Sequence, residues 1–362
     1  MSLYGVARVL TDRGVLSAAL ETSAANPGYT TLPGLRAPLL AALLSAPDAP
    51  STALVVTSTR REGEQIAAAL GCLLPAAQVH SLPAWETLPH ERLSPSAETA
   101  GRRLRVLRAL QQHRANPDPA RPLVIVASVR AALQPLLPGL GDVEPVLLRA
   151  GSRGNSLTDI SHRLAELGYQ RADLVTRRGE YSVRGGILDV FGADAEHPVR
   201  AEFFGDELEQ IRPFAVSDQR SRPEQIAEVE LLPGRELLLT ESVRGRARQL
   251  MHEFPGVAGM LAKIAEGIPV EGMESLAPAL VDRLEPLPEL LPENAAIALI
   301  EPERLRTRAQ SLEETDREFL QAAWEAAGAG GNAPIALDRG GFLSLGDLRA
   351  SAGSRRWWQF SP

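Results

Sequence analysis

A chain of 362 residues with 44% apolar side chains is long for one domain and carries enough apolar surface for two or three cores. Its formal net charge of −7 excludes a surface built throughout for phosphate backbone, while leaving room for a local basic patch. The single cysteine, Cys72, excludes an intrachain disulfide and a cysteine-based zinc site, and is expected to be buried. No apolar run reaches membrane-spanning length, and residues 1–10 lack a basic region followed by an apolar core. The expectation is therefore a cytoplasmic chain with no signal peptide and no membrane partner. Lys263 is the only lysine, and in a chain so rich in Ala, Gly, Pro and Leu the abundance of arginine carries no functional weight by itself.

Residues 1–146 alternate short apolar runs with helical patterns. The run 53–57 reads as a buried strand, and 61–70 as a helix with Ile66, Ala67 and Leu70 inward and Gly71 ending it. An amphipathic helix follows over 101–112, where Leu104, Leu107 and Leu110 form the apolar stripe. Arg102, Arg105 and Arg108 face elsewhere on it and read as a solvated face, with a DNA backbone as the alternative use. The run 123–127 is a second buried strand, with Ser128 as N-cap of a helix through Leu136. Strand, helix and strand at this spacing favour an α/β unit with a parallel sheet.

The texture changes near Gly151. Residues 156–167 form a helix capped by Ser156 and closed by Gly168, with Leu157, Ile160, Leu164 and Leu167 on one face. The runs 180–184, 187–191, 199–204 and 208–214 are short and separated by glycine-bearing turns, which predicts an antiparallel meander in a small α+β domain. After Pro233 the helical pattern returns, with helices over 240–254 and 305–327 and a buried strand at 295–300. The order α/β, small α+β, α/β suggests an insertion into one parent domain. Trp85 and the pair Trp357 and Trp358 read as packing anchors.

The chemistry of a working P-loop is missing. The candidate phosphate turn, PGLRAPL at 33–39, has Gly34 as its one glycine, Arg36 where a lysine would reach the phosphates, no metal-binding hydroxyl, and Pro38, which removes an amide. Glu301 after the 295–300 strand is followed by Pro302 rather than a second acid. The six histidines (His80, His90, His113, His162, His197, His252) lack the short spacings of metal ligands. No catalytic residue, cofactor or metal is expected, and no specific ATP binding or hydrolysis.

Alternation along 199–204 turns Val199, Ala201 and Phe203 toward a core and leaves Arg200, Glu202 and Phe204 on the outer face. Along 180–184 it turns Tyr181 and Val183 inward and leaves Glu180, Ser182 and Arg184 outside, with Arg184 near Arg200 across the sheet. An aromatic beside charged side chains is the composition of an interface hot spot, and a solvated face with cross-strand ion pairs is the competing reading.

Three stretches, AWETLPHERLSP at 84–95, RGEYSVRGGILDVF at 178–191 and RAEFFGDE at 200–207, together resemble the bacterial transcription-repair coupling factor (Mfd) family. The second and third are also similar to the UvrA-binding domain of the repair helicase UvrB. The order and spacing of the motifs make the resemblance specific, and it covers essentially the whole chain. It implies a degenerate P-loop, UvrB-like helicase-type parallel sheet domain in two chain segments, about 1–146 and 233–362, with a UvrA-binding domain at 147–232 inserted between them. It also implies a UvrA-recruiting module of nucleotide excision repair that is not itself an enzyme. The partner surface it implies includes Arg184, Arg200 and Phe204, with Glu202 added by the UvrB pattern. RNA polymerase and DNA are expected to be met only through other domains of the parent chain, an ATP-dependent translocase. The tyrosine-rich hairpin that UvrB threads into damaged DNA has no counterpart, since no tyrosine lies between Trp85 and Tyr169. The competing classes are a nucleotide-binding helicase fragment and a DNA-binding platform.

Overall fold

The computed structural model of the chain describes residues 27–89, 91–154, 156–328 and 341–362. In chain order the main elements are β1 (Gly28–Thr30), α1 (Arg36–Leu43), β2 (Thr52–Thr57), α2 (Arg60–Leu73), β3 (Gln78–Leu82), α3 (Ala97–Ala115) and β4 (Leu123–Ser128). Then come β5 (Val146–Arg149), α4 (Leu157–Glu166), β6 (Gln170–Arg171), β7 (Glu180–Arg184), β8 (Ile187–Val190), β9 (Val199–Phe204), β10 (Glu207–Pro213) and β11 (Glu228–Leu231). The last group is α5 (Glu241–Leu250), α6 (Ala258–Ala265), β12 (Ala296–Ile300), α7 (Pro302–Gly328), α8 (Leu345–Ser351) and β13 (Arg356–Ser361).

Six parallel strands in the order β1-β13-β12-β2-β4-β3 form the larger sheet, so its strands come from both ends of the sequence. The central strands β2 and β12 are buried on both faces, which is why they read as continuous apolar runs rather than alternating ones. One face packs on α1 and α2 through Leu40, Leu43 and Leu70, with Val55, Val126 and Trp358. The other packs on α3, α5 and α6 through Leu104, Leu110, Leu250 and Leu261, with Leu54, Ile125 and Trp357. Adjacent Trp357 and Trp358 thus enter opposite cores, as strand alternation requires.

A second sheet, in the order β10-β9-β8-β7-β6, is antiparallel except for the β6–β7 pair. Its inner face covers α4 through Tyr181, Leu188, Ala201 and Ile211 packed with Ile160 and Leu164. A two-stranded ribbon of β5 and β11 runs beside it. Helices start where a hydroxyl satisfies an orphan amide: Thr59, Ser96, Ser156, Thr240 and Ser344 each accept from the backbone N–H three residues on.

Several sequence expectations need correction. Gly71 does not end its helix; α2 runs on to Leu73, because a glycine there is open to solvent and costs the helix only propensity. Ser128 caps a helix, but a single turn, Val129–Ala132, after which the chain reaches Pro135 and Leu136 pairs with Glu285. Cys72 is exposed rather than buried.

Of the α3 arginines, Arg102 lies on a solvated face, paired with Glu98, but Arg105 and Arg108 are neither a solvated face nor free for a backbone. Arg105 donates to Asp194 (2.7 Å) and pairs with Glu230, while Arg108 donates to Glu230 (2.8 Å), so the helix grips the β8–β9 loop and β11. Gly101 allows this approach, since a Cβ there would lie 2.6 Å from that of Ala193. Between Gly101 and Arg105, Arg103 is wholly buried, pairs with buried Glu236 at 2.7 Å and lies over the Trp85 ring, whose indole N–H also donates to Glu236. The middle and the carboxyl end of the chain segment carrying the smaller sheet are therefore tied to α3 through charge.

Candidate protein-interaction site

The outer face of the smaller sheet is ordered in rows by strand register. Ser182, Asp189, Arg200 and Arg212 lie opposite one another across β7, β8, β9 and β10, and Arg184, Ile187, Glu202 and Gln210 form the next row. Two-residue turns at Gly185–Gly186 and Gly205–Asp206 end these rows. A Cβ on Gly186 would meet the Phe203 carbonyl oxygen at 2.6 Å, so glycine is required there.

Asp189 organises the face. It is 1% exposed and accepts three hydrogen bonds from arginine. Arg200 donates from Nε to Oδ1 (2.7 Å) and from Nη2 to Oδ2 (2.9 Å), and Arg184 donates from Nη2 to Oδ2 (2.8 Å). The fork geometry on one carboxylate fixes the plane of the Arg200 guanidinium. That group also stacks 5.0 Å from the Phe214 ring centroid and donates to the Gln219 carbonyl at 3.2 Å. The hydrogen bonds and charge of Asp189 hold Arg200 protonated more firmly than usual, against the opposing effect of burial.

The side chains assigned to this face from alternation differ in how they present themselves. Arg184 is 53% exposed, whereas Arg200 is only 17% exposed. Glu202 is half-buried and accepts from Gln210 at 2.7 Å. Phe204, at the end of β9, is 76% exposed, the highest value among the exposed large apolar side chains of the described residues, and Ile187 adds a second exposed apolar group to the same face. Ser182, expected outside, is buried because the segment at Asp173 covers it and accepts its hydroxyl hydrogen. Sequence reasoning did not single out Asp189 or Ile187. The available signal was an acid inside the apolar run 187–191, two residues from Ile187 and so on the same face.

The phosphate-turn candidate also has a definite structure. Residues 33–35 make a single 3-10 turn between β1 and α1, beside a cavity of about 500 Å³. Arg36 is buried and pairs with Glu301 at 2.6 Å and with Glu62 at 3.7 Å. Glu301, at φ 53°, also accepts from Arg304. Burial would raise the pKa of Glu301, but hydrogen bonds from Arg304 and Arg36 more than offset it and keep the carboxylate charged. An arginine and its acids thus occupy the mouth of the turn. Among the described residues, no group of three or more His, Cys, Asp or Glu is arranged to hold a metal ion, and no helix is long and apolar enough to cross a membrane.

With this geometry in place, similarity to known proteins assigns the segment. A family profile described as the UvrB interaction domain matches residues 148–237, which contain the whole of the smaller sheet. The transcription-repair-coupling factor of Mycobacterium bovis is 46% identical over 330 residues, covering 85% of this chain and 26% of that protein. The chain belongs to the transcription-repair-coupling factor family. The factor of Myxococcus xanthus is 37% identical over 221 residues (59% of this chain, 18% of that protein), and that of Bacillus subtilis 26% identical over 288 residues (74% and 23%). The chain thus spans about a quarter or less of the length of these coupling factors. The outer face with Asp189 lies inside the matched interaction domain.

Proposed function

We propose that this part of a transcription-repair coupling factor recruits UvrA through the outer face of the smaller sheet, and that it is not itself an enzyme. Arg184, Arg200 and Phe204, with Glu202 beside them, are the contact residues in this reading, and Ile187 extends the apolar part. The observation that carries it is the pair of arginines held on one buried carboxylate, on the same sheet face as an exposed phenylalanine, within the matched UvrB interaction domain. Two guanidiniums on one carboxylate leave donors and positive charge for a partner's acids, and an exposed ring supplies the anchor that a desolvated interface centre needs.

In the same reading the chain is the amino-terminal UvrB-like region: residues 1–146 and 233–362 form a degenerate helicase-type domain, and 147–232 is the inserted UvrA-binding domain. The turn at Gly34, Arg36 and Pro38 is the relic of a nucleotide site, and the ion cluster of Arg36, Glu62 and Glu301 supports its inactivity. Translocation on DNA and contact with RNA polymerase belong to other parts of the parent protein. A pulldown with purified UvrA tests the proposal: stoichiometric capture by the 362-residue chain is the expected result, and no capture at micromolar concentration contradicts it.

A further inference from the structure

The larger sheet carries a second cavity, of about 580 Å³, separate from the one at Arg36 and meeting it only at Thr59. It lies beyond the carboxyl ends of β2, β3 and β4. Its origin is topological. β2 and β4 are neighbours, yet α2, which follows β2, packs on one face with Ile66 and Leu70, while the turn after β4 packs on the other with Val129 and Ala131. Chain leaving adjacent parallel strands in opposite directions opens a crevice at their carboxyl ends, the place where open α/β sheets hold ligands. The volume suits a ligand the size of a sugar-phosphate unit or somewhat larger.

The walls bring four arginines, Arg60, Arg102, Arg130 and Arg308, against two acids, Glu64 and Glu86. Two of the arginines are already neutralised, Arg60 by Glu64 at 2.7 Å and Arg102 by Glu98 at 2.6 Å. The other two are not. Arg130 donates to the carbonyl oxygens of Thr87 (2.9 Å) and Glu86 (3.2 Å) and leans on the Phe342 ring, without a carboxylate at ion-pair distance among the described residues. Arg308 lies exposed on α7 and makes no ion pair with the described residues. Glu86, the acid on the cavity wall beside Arg130, accepts from the hydroxyls of Ser96 and Thr99. Burial lowers the pKa of Arg130, and the charge of Arg308 lowers it further against the opposing pull of Glu91 and Glu86. Glu86 keeps its charge on the wall, but two guanidiniums facing one concave space, with no carboxylate of the described residues at ion-pair distance from either, favour an anion there.

We propose that this crevice binds a phosphate group, with Arg130 and Arg308 as its charged contacts and the hydroxyls of Ser81 and Ser128 on the strand ends as neutral ones. The site is independent of the UvrA surface, which lies on the other sheet. Its phosphate can come from a single-stranded nucleic-acid backbone or from a small free phosphate ester, and two probes separate the sources.

The test titrates the 362-residue chain with a short fluorescein-labelled single-stranded oligodeoxynucleotide by anisotropy across a salt series, and with inorganic pyrophosphate by calorimetry. Arg308→Gln, on an exposed helix face, and the double variant Arg130→Gln/Arg308→Gln are measured beside it. The expected result is saturable binding of at least one probe, weakened roughly tenfold in the double variant. For the oligonucleotide the salt slope should fall by about one for each arginine removed. Oligonucleotide binding identifies a backbone, and pyrophosphate binding alone identifies a small ester. Arg308→Gln keeps the test decisive if loss of the Arg130 hydrogen bonds unfolds the double variant. Failure of both probes to bind, or binding by Arg308→Gln indistinguishable from the unsubstituted chain, would overturn the proposal.

Discussion

Two groups of arginines look alike in the sequence, those of β7 and β9 and those of α3, and the fold uses them oppositely. Arg105 and Arg108 on α3 meet Asp194, Glu230 and, at 3.7 Å, Glu144, more acids than bases, and the charge is consumed in tying segments of the chain together. Arg184 and Arg200 share the single carboxylate of Asp189. The shared acid orients both guanidiniums but supplies one negative charge for two positive ones, and the face that holds them also carries an exposed ring. The comparison teaches that arginines keep charge for a partner when their own protein supplies fewer carboxylates than bases. Spacing along a strand or helix carries no such information.

That contrast can be broken at several points. Arg200→Ala should have the largest effect, weakening UvrA binding at least thirtyfold, or about 2 kcal/mol. Because Arg200 is mostly covered and its removal leaves buried Asp189 with Arg184 alone, stability should also fall by about 1–3 kcal/mol, measured by denaturant unfolding. Phe204→Ala should cost a similar roughly thirtyfold in affinity while changing stability by no more than about 0.5 kcal/mol. Asp189→Asn keeps the shape but removes the charge that orients both arginines. Calorimetry should show a loss of affinity of about tenfold, close to the value of one charge-assisted hydrogen bond. Arg105→Ala/Arg108→Ala should leave UvrA affinity within about twofold, since those pairs lie outside the face. The partly exposed α3 pairs should cost only about 1 kcal/mol together after solvent screening, with faster amide exchange at 193–194 and 228–231. Smallest of all, ATP hydrolysis should stay at background in the unsubstituted chain and in Arg36→Lys, because Glu62, Glu301 and Pro38 remain at the turn. Turnover above background in either would contradict the inactive reading.

The central strands and the face-sharing of Arg200, Glu202 and Phe204 were legible in sequence because a period of two is a local property of the backbone. The extents of helices were less so. Gly71 looked like a terminator, but α2 continues past it with nothing packed against the glycine. The helix after Ser128 looked long, but it ends after one turn. What stayed hidden was tertiary. Arg105 finds Asp194 at a separation of 89 residues and Glu230 at 125, and no pattern within α3 announces either. Asp189 was visible as an acid in an apolar run, yet its role depends on which strands neighbour β8, a fact set by sheet order. Likewise the covering of Ser182 depends on the path of the chain at Asp173.

The central claim, that the outer face of the smaller sheet and not α3 meets UvrA, is tested most directly by one calorimetric comparison. Purified UvrA is titrated into the unsubstituted chain, into Arg184→Ala/Phe204→Ala and into Arg105→Ala/Arg108→Ala, with each chain checked for folding by circular dichroism. Binding should be retained by the first and third and weakened at least thirtyfold in the second. Unchanged affinity in a folded Arg184→Ala/Phe204→Ala chain would contradict the account.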